Sequence, residues 1–440
     1  MHRGNLVRVV GVAAVVGTAV ALAGCTSSSG DSSDQKVTVR VGVFDGGDGL
    51  KLDQQLASDY MKSHPNVTIK IESTPTNFDT KILTELAAGD APDIMQLGDG
   101  DIAMFQSKGV LADITPFVNS ETDGLKMSDF DPTIMDIGKI DGKYYTIGGG
   151  TSMAVYINKD AFAAAGLELP TASWTWDDLE KDAIALTKTN AKGAVTQYGI
   201  RFRGSDLRTY LPFMYAYGGD AISSNGKKIA GHADSAASIA GWTMYDKLMN
   251  VDKVAPGAQA VGANNGNDFF LAPEGEKVGL AAMELSGDWG GPSYVEAGMN
   301  FEVLPLPAGP AGQFTTMDYS GYAINAKSKV TQAAWDYMRY WATEGQMSLA
   351  KTGQLVPYKP ALAQYKLDSN PATAEFVKSF SMVKPFPELL SPNFAASGAS
   401  NDLLKVLTDI QASNGSVDVA SELKAAAKQA QADLDAYSQN

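Results

Sequence analysis

Apolar and polar residues alternate strictly from Lys36 to Val43, placing Val37, Val39, Val41 and Val43 on one face, which is the period-two signature of a strand. Asp45 to Gly49 is a turn of Gly and Asp, and Leu52, Leu56 and Tyr60 then recur at helical spacing. Val67, Ile69 and Ile71 alternate again, Ile82, Leu83 and Leu86 mark a second helix, and Pro92 opens a third strand from Asp93 to Leu97. Strands separated by helices and short connections predict a parallel α/β sheet, because parallel neighbours need a crossover. Ligands of such sheets sit beyond the carboxyl ends of the strands. Those ends are Phe44–Asp45 and Gln96 to Asp101, so Phe44, Asp45, Gln96, Asp99 and Asp101 are candidate contacts. Asp45 serves equally well as a cap of the following turn.

Further along, Thr175-Trp176-Asp177-Asp178 has the spacing of a capping box, continued by Leu179, Ala183 and Leu186. Ile239, Trp242, Tyr245 and Leu248–Met249 predict another helix, as do Trp335, Met338 and Trp341–Ala342, and an Ala-rich helix closes the chain from about Ser421. Pro305, Pro307 and Pro310 with Gly309 and Gly312 are the strongest punctuation of the second half and mark a hinge or crossing between lobes. Gly148-Gly149-Gly150 has no Lys-Ser/Thr behind it and so is no phosphate loop; it suits a backbone crossing.

The N-terminal segment sets the compartment. Arg3 and Arg8 precede an apolar run from Val9 to Ala23, about 15 residues against the ~20 a spanning helix needs. A charged start, a short apolar run and small residues at its end form a secretory signal, with an uncleaved anchor as the alternative. Leu22-Ala23-Gly24-Cys25 resembles the lipobox of bacterial lipoproteins, which implies cleavage after residue 24 and acylation of Cys25. Cys25 is the only cysteine and can form no internal disulfide. Residues 25–35, rich in Ser, Gly and Asp, read as a flexible tether. The remainder is too long for one compact core and suggests two domains. With 50 Asp and Glu against 35 Lys and Arg the formal charge is −15, which excludes a nucleic-acid binder. The three histidines, His2, His64 and His232, support neither a zinc set nor a His-based triad, so neither metal nor cofactor is expected. Asp99-Gly100-Asp101 begins like a calcium loop but lacks its later ligands.

Several segments, in order, resemble the extracellular solute-binding proteins of carbohydrate ABC importers, the group that includes maltose-binding proteins. They are Pro92-Asp-Ile-Met95 followed by Gly109 to Pro116, Asp141 to Tyr145 followed by Val155 to Asp160, and Trp174 to Asp177. Ala282 to Trp289, Val303-Leu-Pro305 and Gly321 to Ala326 continue the pattern. The resemblance implies a two-lobed α/β fold of the periplasmic-binding-protein kind with the ligand in the interlobe cleft. It implies a first lobe of residues 36–151 and 315–345 and a second of 152–314 and 346–440. Crossings are expected near 149–154, 307–314 and 343–353. It also implies a monomer that carries a sugar to ABC permease subunits and catalyses nothing.

Sugars offer hydroxyls and a flat C–H face, so planar hydrogen-bonding side chains and aromatic platforms recognise them. By the resemblance, Trp289 is a stacking residue, Tyr156 is the aromatic nearest the Asn-Lys-Asp segment, and Asp206, Arg208 and Tyr210 are second-lobe contacts. Asp318, Tyr319 and Gly321 follow in the return segment, with Asn393 and Phe394 near a C-terminal aromatic contact. Where the family often has an aromatic, this chain has Leu97. Arg208 reads alternatively as a surface partner of Asp206, and Trp289 as a core residue. Two other functions fit the residues: a surface-anchored glycoside hydrolase with paired carboxylates, and the same fold holding a polyamine or other small polar cation near Asp45, Asp99, Asp101 and Asp318.

Overall fold

The computed structural model describes residues 36–203, 207–263, 268–413 and 415–438. Cys25 and Asp206 lie outside the described residues. The first three expected strands form as Val37–Val43, Val67–Ser73 and Ile94–Gly98, with the 37–43 strand parallel to both others. Val39, Val41 and Val43 are wholly buried. The helices between them, Gly47–Ser63 and Phe78–Ala88, supply the crossovers. Two strands from later in the chain complete this sheet. Met317–Ile324 lies antiparallel between the 94–98 strand and Thr146–Ser152, so the sheet is mixed rather than all-parallel. The helix Thr331–Tyr340 packs its Trp335 and Met338 into the same core.

A second five-stranded sheet runs in the order Phe301–Pro305, Ala154–Asn158, Ala281–Ser286, Val195–Phe202, Lys188–Thr189. Its core contains Trp176 stacked on Phe213 at 4.0 Å and Trp242, whose indole N–H donates to the Tyr210 carbonyl. The capping box forms as expected: the Asp178 N–H donates to the Thr175 hydroxyl and the Thr175 N–H to the Asp178 carboxylate.

The chain passes between the sheets twice at one place. Met153 N–H donates to the Thr316 carbonyl at 3.1 Å, and the Thr315 hydroxyl donates to the Met153 carbonyl at 2.8 Å. The return strand therefore crosses at Phe314–Thr316. The proline-rich turn expected to hinge is fixed to the second sheet's side instead. Ala308 and Trp176 exchange backbone bonds with Trp174 and Ala308, and Ala311 N–H reaches the Ala216 carbonyl. Proline removes donors but leaves carbonyls and its neighbours' N–H groups free to pair. The later passage is drawn out. Leu355 N–H donates to Asp288, the Pro357 carbonyl accepts from Asp131, and Phe376 then packs on Tyr156 of the second sheet.

Candidate functional site

Between the two sheets lies a cavity of about 670 Å³, in the range that holds a small ligand. The first sheet offers it the ends of two strands. Phe44 and Asp45 follow the 37–43 strand, and Gln96 lies near the end of the 94–98 strand. Gln96 ties the two together: its amide oxygen accepts from Phe44 N–H at 2.9 Å and its amide nitrogen donates to Asp45 at 2.6 Å and to Ser320 at 3.0 Å. The helices starting just beyond bring Asp53, Asp79 and Asp101 to the wall.

Glycine shapes the floor. A Cβ on Gly148 would stand 2.4 Å from the Ser320 carbonyl and 2.5 Å from the Tyr319 hydroxyl, and one on Gly321 would stand 2.5 Å from that hydroxyl. The two glycines, paired across neighbouring strands, admit the Tyr319 ring, whose hydroxyl hydrogen-bonds Thr146 at 2.9 Å. Gly149 and Gly150 continue as bare backbone lining the cavity.

Arg208 joins the halves. It stands on the helix Leu207–Ala216, packed in the second core, and donates to Asp99 at 3.0 Å and to Asp318 at 2.7 Å, both on first-sheet elements. Thr316 donates to its backbone carbonyl at 2.7 Å. The aromatic borders come from opposite sides: Trp289 after the 281–286 strand, 37% exposed, and Trp341 after the 331–340 helix, held edge-on by Tyr322 at 4.7 Å.

Burial disfavours charge on several of these acids. It pushes Asp53 up to about 7, helped by the neighbouring charge of Asp45 and opposed by a hydrogen bond from Tyr322. It pushes Asp101 up to about 7 beside Asp79 and Asp99, with Arg208 opposing. Asp288 rises to about 6, again by burial, although Leu355 N–H donates to it at 2.6 Å.

Most of the expected residues meet here: Phe44, Asp45, Gln96, Asp101, Arg208, Trp289, Asp318 and Tyr319 all line the cavity. Asp99 stands just behind, 1% exposed, against Arg208. Five expected contacts, Tyr156, Tyr210, Gly321, Asn393 and Phe394, need correction. Tyr210 is 1% exposed in the second core, where its hydroxyl accepts from Gln411. Tyr156 is fully buried in the second lobe, packed edge-on to Tyr294 at 5.0 Å, because its strand is covered on both faces. Gly321 serves the strand by making room for Tyr319. Phe394 is fully buried in the second core, and Asn393 donates to Ser438, away from the cleft. Arg208 pairs with Asp99 and Asp318 across the cleft, while Asp206, its alternative partner, lies outside the described residues.

Asp53, Asp79, Trp341 and Asp288 were not foreseen. Asp53 carried a signal: it sits three residues before Leu56, on the buried face of its helix, where a carboxylate is out of place. Trp341 gave none, because it looks like one more apolar helix position. It lines the cleft where the helix passes into a π-turn at Trp341–Gly345, a distortion frequent at functional sites.

Two α/β lobes, two adjacent crossings and a cleft lined from both sides define a two-lobed protein with an interlobe ligand cleft. The likeness to known proteins narrows this. The chain belongs to the bacterial extracellular solute-binding protein family, whose model matches residues 46–348. It is 22% identical over 433 residues to the diacetylchitobiose binding protein DasA of Streptomyces coelicolor, covering 96% of this chain and 97% of that one. It is 25% identical over 400 residues to the maltodextrin-binding protein MdxE of Bacillus subtilis, covering 84% and 85%. The GacH receptor of Streptomyces glaucescens, a solved structure, superposes with a TM-score of 0.75 at 22% identity over 90% of this chain and 99% of that one. The family comprises substrate-binding proteins of ABC transporters, not enzymes. Among the described residues no helix is long and apolar enough to cross a membrane.

Proposed function

We propose that the protein captures a sugar or short oligosaccharide between its lobes and delivers it to the transmembrane subunits of an ABC importer. One observation carries this reading: two tryptophans, Trp289 and Trp341, border a cleft whose walls present Asp45, Gln96, Asp101, Asp318 and Arg208. Aromatic faces beside planar acceptors and donors suit a ring with an apolar face and a rim of hydroxyls. The relatives named for diacetylchitobiose and maltodextrin support the class. In this reading the lobes are 36–151 with 315–345 and 152–314 with 346–440, the protein works as a monomer, and a lipid on Cys25 holds it at the outer face of the membrane. The ligand touches both lobes and so favours the closed state, by its difference in affinity for the two. Titration calorimetry against a panel of mono- and oligosaccharides, paired with solution scattering, tests it. The expected result is saturable binding with a smaller radius of gyration. Tight binding without compaction from an open ligand-free state overturns the two-lobe mechanism, and no binding of any saccharide overturns the ligand class.

A further inference from the structure

The cleft is short of positive charge. Asp45, Asp53, Asp79, Asp101, Asp288 and Asp318 line it, and the Arg208 guanidinium among them is already matched by Asp99 and Asp318. Of the buried carboxyl oxygens that find no hydrogen-bond donor among the described residues, two lie at the cleft and its side chamber. One is Oδ2 of Asp53, a residue 7% exposed on the cleft wall. The other is Oε2 of Glu388, 5% exposed, in a chamber of about 230 Å³ that adjoins the cleft along Gly98, Asp101 and Arg208. Burial, with the neighbouring charge of Asp45, favours the protonated form of Asp53. Around Asp101 and Glu388 the charged groups are Asp79, Asp99 and Arg208. A neutral ligand closing over these acids keeps them protonated, whereas a cation pairs with their ionised form.

We infer that the ligand is a saccharide bearing at least one basic nitrogen, whose ammonium group is held by the Asp45–Asp53 pair or by the Asp101–Glu388 group. The inference rests on the sugar-capture reading above and narrows it. A consequence follows from the protonation of the empty cleft. Burial raises Asp53 and Asp101 to about 7 and holds Glu388 well above the usual carboxylate range. An ammonium favours the ionised carboxylates, so binding near neutral pH expels protons. Affinity then rises as pH increases from about 5.5 to about 6.5, a window in which an amino-sugar ammonium stays mostly protonated.

Calorimetry of the full mature chain against glucosamine and its β-1,4 disaccharide, their N-acetylated forms, glucose, cellobiose and spermidine tests this. Repeating it in buffers of different ionisation enthalpy counts the protons. The free amines are expected to bind at least about ten-fold tighter than their acetylated or hydroxyl counterparts, with net proton release. Asp53→Asn and Glu388→Gln, checked for folding by thermal melting, should each be measured. At least one should lose the amine preference and the proton release while still binding. Acetylated or neutral sugars bound as tightly as the amines, or no binding of any amine probe, overturn the inference; the sugar reading survives the first of these. Binding of spermidine alone overturns the sugar reading instead and leaves the ammonium site standing.

Discussion

Replacing Arg208 by Met should destabilise the ligand-free protein by about 3 kcal/mol at neutral pH, with two arms of different worth. The Asp318 arm, at 2.7 Å, involves a carboxylate 39% exposed, so solvent screens it and its loss costs under about 1 kcal/mol. The Asp99 arm, at 3.0 Å, involves a side chain 2% exposed, and losing the guanidinium leaves a buried carboxylate without its cation. That penalty is about 3 kcal/mol or more and dominates. It arises from the orphaned charge and not from an attraction forgone. Arg208→Met combined with Asp99→Asn should therefore recover more than half of the loss. Urea unfolding of the wild type, both single variants and the double variant, at low and high salt, measures this as a double-mutant cycle. The salt dependence should be weak, because the dominant arm is buried. A double variant no better than Arg208→Met, or a single variant as stable as the wild type, would refute the reasoning.

Three further predictions rest on separate features. Trp289→Ala should weaken sugar binding by about 1–3 kcal/mol and hardly move the ligand-free melting temperature, since the ring is 37% exposed; a large loss of stability with unchanged affinity would make it a core residue. Cys25→Ser should release the protein from the membrane fraction with affinity intact, and its retention there would end the lipid-anchor proposal. Asp53 and Asp101 stand at about 7 and Asp288 at about 6 when folded, all above their unfolded values. Between the unfolded value and the folded one the native state binds more protons, so these groups add stability at low pH and lose it as pH rises through 6 to 7. The ligand-free protein should melt higher at pH 5.5 than at pH 8, and Asp53→Asn should flatten the difference and add about 1 kcal/mol at pH 8. A profile unchanged by the substitution would place the dependence elsewhere.

What the sequence determined is what short-range rules govern. The alternation in 36–43 fixes a strand with Val39, Val41 and Val43 inside, the spacing of Leu56 and Tyr60 fixes the next helix, and the Thr175–Asp178 box fixes a helix start. The carboxyl ends of the strands pointed to Phe44, Asp45, Gln96 and Asp101 because a parallel sheet puts its loops on one edge. Family resemblance added Arg208 and Trp289, which no periodicity distinguishes from surface or core positions. It erred at Tyr156 and Phe394, where an aromatic at a matching position serves packing. Only the tertiary structure decided contacts between residues far apart in the chain: the insertion of the 317–324 strand between two early ones, the Asp99–Arg208–Asp318 bridge, and the place of Trp341 on the cleft wall. It alone set the protonation of Asp53 and Asp101, since burial and neighbouring charge, not residue type, move a carboxylate from its ordinary range.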